Sequence, residues 1–134
     1  MSGETTRAGG IRFERKVVNN LRSDGYTTMR SAGSKGSIDI AAMKPGQLLL
    51  VGAKRGGVCT AAEWDRLVEL AGWVGAVPIL AVNGPRGYGV DYWRLTGPKL
   101  RGKPMGAQPA VRFLTDIVDS AVGGPVRQEW IGVD

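Results

Sequence analysis

One acidic residue, Asp39, stands between two isoleucines, and this placement constrains the fold more than any other feature of the sequence. Ile38 and Ile40 favour a buried β-strand, yet an ionised carboxylate without a partner is strongly destabilised in an apolar interior. Asp39 therefore belongs either to an ion pair that stabilises the fold or to a functional site.

A second ionisable residue, Lys54, lies near the end of the apolar segment that follows. The apolar residues Leu48–Val51 predict a strand covered on both faces, within a longer strand running from Gln47 to Arg55. Alternation places Lys54 on the same face as Gly52, where this strand reaches the edge of the sheet. An acid beside such a lysine is typical of sites where the carboxylate binds a divalent metal and the ammonium orients water or contacts a phosphate.

A third ionisable residue, Glu14, lies within the first predicted helix, Ile11–Ser23. At about 100° per residue, its side chain falls in the middle of an apolar arc. That arc consists of Phe13, Val17, Val18 and Leu21. Taken alone, Glu14 fits an ion pair with an arginine at the rim of the core. Three ionisable residues in apolar surroundings on three successive elements favour a site instead.

The composition excludes several kinds of chemistry. The 134 residues include no histidine, which excludes Ser-His-Asp and Cys-His nucleophiles and His-based zinc sites. Cys59 is the only cysteine, so we expect an inert thiol and neither an intrachain disulfide nor a cysteine zinc site. The net charge of +6 favours an anionic partner, most commonly nucleic acid.

The remaining patterns predict one α/β domain over residues 11–96, with a flexible arm before it, Met1–Gly10, and a basic extension after it, residues 97–134. A mixed sheet of about five strands flanked by helices is expected. Besides the strands at Asp39 and Gln47–Arg55, three further strands are predicted, at Tyr26–Arg30, Val77–Val82 and Tyr88–Leu95, the last of them at the sheet edge. One further helix is predicted to begin at the capping box Thr60–Glu63, and another to span Ala110–Ala121. Without a signal peptide or a long apolar span, the chain is expected to be soluble and intracellular, with no membrane contact.

The order of these features resembles the archaeal-type Holliday-junction resolvases of the PD-(D/E)xK, or restriction-endonuclease-like, nuclease superfamily. The resemblance rests on the helix with Glu14, the turn RSAGSKGSIDIAA, the strand ending at Lys54, the segment WDRLVELAGWVGAVPILAV and the strand YWRL. It implies a restriction-endonuclease-like fold and a homodimer with two active sites. It also implies that each site uses Mg²⁺, with Mn²⁺ as a substitute, to hydrolyse a phosphodiester at a four-way DNA junction by symmetric paired nicks.

The resemblance also implies roles for individual residues. Asp39 would be the chief metal ligand, with Glu14 near the metal and the backbone carbonyl of Ala53 as a further oxygen. Lys54 would position the attacking water or stabilise the charge that develops on the phosphate. The residues expected to contact DNA are Arg30, Ser31, Ser34, Lys35, Arg55 and Arg86.

One position departs from the family pattern, because the acid expected two residues before Lys54 is Gly52. Three explanations are open: an inactivating change, natural or engineered; a protein that has lost cleavage and kept binding; or an acid from elsewhere in the chain. The first is favoured, because a glycine inside an apolar strand is intrinsically unfavourable. The alternative function is a junction-binding protein that does not cleave. An unrelated basic α/β domain with a buried Asp-Lys pair is a third interpretation. A cellular source, acting in cytoplasm or nucleoid, and a viral source both fit.

Overall fold

The described part of the chain forms a mixed sheet of six strands with a helix on each face. The computed structural model describes residues 2–31, 38–84 and 89–113. The elements are α1 (Ser2–Ser23), β1 (Thr27–Arg30), β2 (Ile40–Lys44), β3 (Gln47–Lys54), α2 (Ala61–Val74), β4 (Val77–Asn83), β5 (Val90–Leu95) and β6 (Ala110–Arg112), with a 3₁₀ turn at Met105–Ala107. The α/β class and the mixed central sheet flanked by helices are confirmed.

The strands lie in the sheet in the same order as in the sequence. All neighbours pair antiparallel except β3 and β4, which are parallel. Parallel neighbours need a long crossover, and α2 provides it. Strand β3 is therefore central, with β2 on one side and β4 on the other.

Two apolar cores lie on opposite faces of this sheet. Side chains at alternate positions of β3 point to opposite faces, so Val51 packs against the α1 residues Phe13 and Val17, whereas Leu50 packs with Trp64 of α2. The apolar run that begins β3 is thus covered on both faces, as the sequence predicts. Lys54, the last residue of β3, lies where the two helices no longer cover the strand, and its side chain is 22% exposed.

Helix α2 begins and ends as the sequence pattern predicts. Thr60 accepts a hydrogen bond from the Glu63 backbone N–H, and the Glu63 side chain accepts one from the Thr60 backbone N–H. Gly75 ends the helix in the left-handed conformation, at a φ of 71°. Packing of Trp64 and Leu67 with Leu50 holds α2 against β3, and the first turn of α2 contributes to the site described below.

Helix α1 is longer than the sequence pattern predicts. It begins at Ser2 instead of Ile11, so the interpretation of residues 2–10 as an arm without regular structure is wrong for the backbone of that segment. Glycine lowers helix propensity, but propensity is a weak prior that tertiary contacts override. Here Gly9 is buried, and the Arg55 side chain lies directly against it.

The sheet also extends further than expected, to six strands instead of about five. Ala110–Arg112 form β6, which pairs with β5, so the helix predicted from Ala110 is wrong for these three residues, and residues 114–121 lie outside the described part. Strand β5 is therefore not at the edge. An unpaired strand edge satisfies its backbone groups by pairing, which explains why β6 forms here. Residues 97–113 thus belong to the same folded unit as the preceding strands.

Candidate active site

Asp39 lies immediately before β2, held by hydrogen bonds of its backbone and its side chain. Its backbone N–H donates to the Val51 carbonyl at 2.8 Å, and its carbonyl accepts from the Ser31 N–H at 2.9 Å. Its Oδ2 accepts a third hydrogen bond, 2.8 Å long, from the Ala53 N–H. The residue is 7% exposed, so a carboxylate is fixed in a buried position beside the end of β3.

The surroundings of Asp39 disfavour its ionised form. Burial raises the pKa of the carboxyl, and the charges of Glu14 and Glu63 raise it further. The hydrogen bond from Ala53 and the charge of Lys54 act in the opposite direction, but they do not outweigh burial. Within the described residues, no basic side chain forms an ion pair with Asp39. A divalent cation beside this carboxylate would therefore be strongly favoured.

Lys54 forms its ion pair with Glu63, in the first turn of α2. The Lys54 Nζ lies 2.9 Å from Glu63 Oε2. Burial alone would lower the pKa of Lys54, but the hydrogen bond to Glu63 and the charges of Glu63 and Asp39 raise it above its ordinary value. The hydrogen bond from Lys54 lowers the pKa of Glu63. Lys54 is thus an ammonium at neutral pH and acts as a positive charge, not as a base.

Glu63 is the residue of this site that the sequence analysis did not identify. Its Thr-x-x-Glu pattern indicates a capping box, which accounts for the residue without assigning any function to it. One signal in the sequence pointed to it: an acid in the first turn of the helix that follows a strand ending in lysine. A crossover helix begins near the end of the preceding parallel strand, so such an acid lies within reach of that lysine.

Glu14 forms an ion pair with Arg30 at the rim of the core. Arg30 donates to Glu14 Oε1 from Nε at 3.1 Å and from Nη2 at 2.8 Å. The Glu14 side chain is 18% exposed and that of Arg30 is 49% exposed. This is the pairing with an arginine that the sequence left open, yet the Glu14 charge also acts on Asp39. The structure thus brings all three ionisable residues to one end of the sheet.

Among the predicted DNA contacts, Arg30, Ser31 and Arg55 are exposed, and Ser34, Lys35 and Arg86 lie outside the described residues. Arg55 leaves β3 on the α1 face, at a cavity of about 320 Å³. The cavity is lined by Gly9, Arg12, Phe13, Lys16, Arg55 and Asn83. Three of these side chains are cationic, so the cavity is suited to an anionic group.

Cys59, immediately before the α2 N-cap, is buried at 3% exposure. Burial, and then the charge of Glu63, raises the pKa of its thiol to about 11. The thiolate is scarce at neutral pH, so the structure supports the interpretation of Cys59 as an inert thiol.

Comparison with known proteins identifies the family. The model of the archaeal Holliday junction resolvase family matches residues 5–103. The chain belongs to this family. A solved structure, that of the Holliday junction resolvase of the archaeal hyperthermophile Archaeoglobus fulgidus, is similar, with 26% identity and a TM-score of 0.55 over 67% of this chain and 80% of that one. No curated protein matches the chain. Within the described residues, no helix has both the length and the hydropathy of a membrane span.

Gly52, at the position where the sequence analysis expects an acid, is buried in β3 opposite Leu80 of β4. Alternation along β3 places it on the face of Leu50 and Lys54, towards α2. The Ala53 N–H donates to Asp39 Oδ2. In a strand the N–H and the carbonyl of one residue point to the same neighbouring strand, so the Ala53 carbonyl faces the β2 side, as the Val51 carbonyl does.

The donor chemistry fits a divalent cation, since carboxylate and carbonyl oxygens are the ligands that Mg²⁺ prefers. The donors do not form a complete set. In the part of the chain that the structure describes, no three acidic, histidine or cysteine residues lie close enough together to hold a metal ion. Glu14 and Glu63 are each held by a basic side chain. Asp39 is therefore the principal candidate ligand.

Proposed function

We propose that this resolvase-family chain is a Mg²⁺-dependent, structure-specific endonuclease that hydrolyses phosphodiesters at four-way DNA junctions by symmetric paired nicks. Family membership supports the resolvase function. The observation that carries the catalytic proposal is the buried Asp39 carboxylate, which has no basic partner among the described residues and lies within electrostatic range of the Lys54 ammonium.

The residues near Asp39 have distinct proposed roles. Asp39 binds the divalent cation, Mg²⁺ or Mn²⁺, with the Ala53 carbonyl and Glu14 as further oxygen donors. When bound, the cation supplies Lewis-acid polarisation of the phosphate and an acidified water. Lys54, which is protonated, orients that water or stabilises the negative charge that develops on the phosphate.

Cationic side chains on the α1 face contact the DNA backbone, since Arg55, Arg12 and Lys16 share one cavity. Arg30, Ser31, Ser34, Lys35 and Arg86 are the further proposed contacts. Such contacts make affinity strongly dependent on salt. A two-fold homodimer presents two sites related by symmetry, which suits paired cuts on opposite strands in recombination or repair of DNA inside the cell.

A second candidate function, junction binding without cleavage, is favoured by one observation. Gly52 supplies no carboxylate, and the described residues hold no group of three metal-binding side chains. Under this proposal the basic surface remains useful while the site has lost its chemistry.

A cleavage assay with a labelled four-way junction, with and without Mg²⁺ or Mn²⁺, separates the two functions. The chain is compared with Asp39→Asn, and plain duplex of the same sequence is the control substrate. Metal-dependent paired nicks that Asp39→Asn abolishes support the nuclease. Tight binding to the junction without nicks supports the second function. Equal affinity for junction and duplex, without cleavage, would overturn both.

A further inference from the structure

The side chain absent at Gly52 would project towards α2. Leu50, two residues earlier on β3, packs with Trp64 and Leu67 of α2, and Lys54, two residues later, contacts the first turn of the same helix. Alternation places Gly52 on this same face. An acid that replaces the missing one would therefore be supplied most directly from the beginning of α2, and Glu63 lies there.

The Glu63 carboxylate is held in a defined orientation. Its Oε1 accepts hydrogen bonds from the Thr60 backbone N–H at 3.2 Å and from Thr60 Oγ1 at 3.3 Å. Its Oε2 accepts the hydrogen bond from Lys54 Nζ at 2.9 Å. One oxygen thus caps the helix, and the other meets the lysine of the proposed catalytic site.

Helix capping does not explain the ion pair that Glu63 forms with Lys54. A capping box works equally well with glutamine at this position, since an amide oxygen accepts the same hydrogen bond. The capping hydrogen bond needs only the oxygen atom of residue 63, whereas the ion pair with Lys54 needs its negative charge.

We propose that Glu63 takes the place of the acid that Gly52 lacks. It is a positioning residue that holds the Lys54 ammonium at the end of β3, and its carboxylate adds negative charge for the divalent cation on the face towards which a side chain at position 52 would project. This inference rests on the proposed nuclease function. It favours the explanation in which an acid from elsewhere in the chain substitutes, over an inactivating change at Gly52.

The first test is Glu63→Gln, which keeps the capping oxygen and removes the charge. Glu69→Gln is the matched control, because Glu69 lies on the same helix and pairs with Arg66 at the surface. Binding of Mn²⁺ to the full chain is measured by electron paramagnetic resonance, and junction cleavage is measured separately. Glu63→Gln should lower Mn²⁺ affinity and cleavage by about 10- to 100-fold, whereas Glu69→Gln should change neither. Circular dichroism should show the same helix content in both.

The second test adds Gly52→Glu, alone and together with Glu63→Gln. If Glu63 already supplies the acid, Gly52→Glu changes Mn²⁺ affinity and cleavage little in the original chain but restores both in the Glu63→Gln background. This non-additivity identifies the two positions as substitutes for each other. Because the double variant also carries Glu63→Gln, restored Mn²⁺ binding in it would show that the loss in the single variant is not a loss of folding.

The outcomes separate this inference from the proposed function. Cleavage that depends on Asp39 but is unchanged in Glu63→Gln would overturn the inference and leave the nuclease function standing. If the original chain neither cuts nor binds Mn²⁺ and Gly52→Glu alone gains both, the inference is overturned, and this chain has the second candidate function, junction binding without cleavage. If no variant binds Mn²⁺ or cuts, the proposed function fails, and the inference fails with it.

Discussion

A buried acid lies near each end of strand β2, and the two acids differ in whether a lysine neutralises their charge. At one end, the Asp24 side chain is 3% exposed and its Oδ2 lies 3.6 Å from the Nζ of Lys44, the last residue of β2. That Nζ also donates to the Asp24 carbonyl at 2.9 Å and lies 4.1 Å from the Tyr26 ring centroid. At the other end, Asp39 accepts a backbone hydrogen bond, and Lys54 is bonded to Glu63 instead.

This difference separates an acid that is paired with a lysine from an acid that has no basic partner among the described residues. Asp24 has its counter-charge within the fold, so its ionisation is compatible with stability. Asp39 is kept among apolar groups and further acids, which costs stability at neutral pH. Unbalanced charge of this kind is characteristic of functional sites, where a ligand or cation completes the balance.

The largest effect on stability is expected from Asp24→Asn, which removes the ion pair between Asp24 and Lys44. Removing one partner of a buried ion pair costs about 3 kcal/mol, because the desolvated ammonium loses its counter-charge. Denaturant unfolding at pH 7 measures the loss, and junction binding at a temperature where the variant is folded should be unchanged. A loss below about 1 kcal/mol would show that the pair contributes no more than a surface pair.

Asp39→Asn, near the other end of β2, should increase the free energy of unfolding at neutral pH. The folded-state pKa is raised, so the unfolded chain loses its proton first as pH rises from about 3.8. The free energy of unfolding of the original chain therefore falls across the window between 3.8 and the raised folded pKa, and it stays lower above that window. Asp39→Asn removes this penalty.

The variant should therefore melt at a higher temperature than the original chain at pH 7, and the gain should disappear below pH 3.8. Its magnitude should be smaller than the loss in Asp24→Asn, because the Ala53 hydrogen bond already offsets part of the penalty. Melting curves at several pH values, without divalent metal, measure it. A lower melting temperature at pH 7 would mean that Asp39 is a structural acid like Asp24.

A smaller effect is expected from Gly9→Ala. A methyl group at Gly9 would lie 1.9 Å from Arg55 Nη1, so the flexible guanidinium must leave the cavity. Gly10→Ala is the matched control, since a methyl there meets nothing within 4 Å. Both gain helix propensity, but only Gly9→Ala should weaken junction binding, with the slope of log affinity against log salt reduced by about one. Equal salt slopes for Gly9→Ala and Gly10→Ala would mean that Arg55 does not contact the DNA.

The smallest effect is expected for the reactivity of Cys59, which reports how well the end of the sheet near Lys54 and Glu63 excludes water. A thiol with a pKa of about 11, compared with its ordinary 9.0, holds about a hundredfold less thiolate at pH 8. Alkylation by iodoacetamide should be slower than that of glutathione by at least this factor, while the unfolded chain reacts normally. Fast alkylation of the native chain would mean that this end opens to solvent.

Patterns local to the chain allowed much of the fold to be predicted. The run Leu48–Val51 identified the central strand, and the Thr60–Glu63 pattern the start of α2, because alternation and capping depend on neighbouring residues. Asp39 stood out because an acid between isoleucines conflicts with its surroundings in almost any fold. Segments whose form depends on a distant partner were predicted less well: Gly9 of α1 lies against Arg55, and β6 pairs with β5.

By itself, the sequence determined that Asp39 and Lys54 are the residues to explain, because each is an ionisable residue within or at the end of an apolar strand. Only the tertiary structure decided how their charges are shared. Lys54 pairs with Glu63, nine positions later, and Glu14 with Arg30, sixteen positions later. Coulomb energy depends on the distance between charges in space and on their burial, and spacing along the chain gives neither. Only the folded structure places the first turn of the crossover helix at the end of β3.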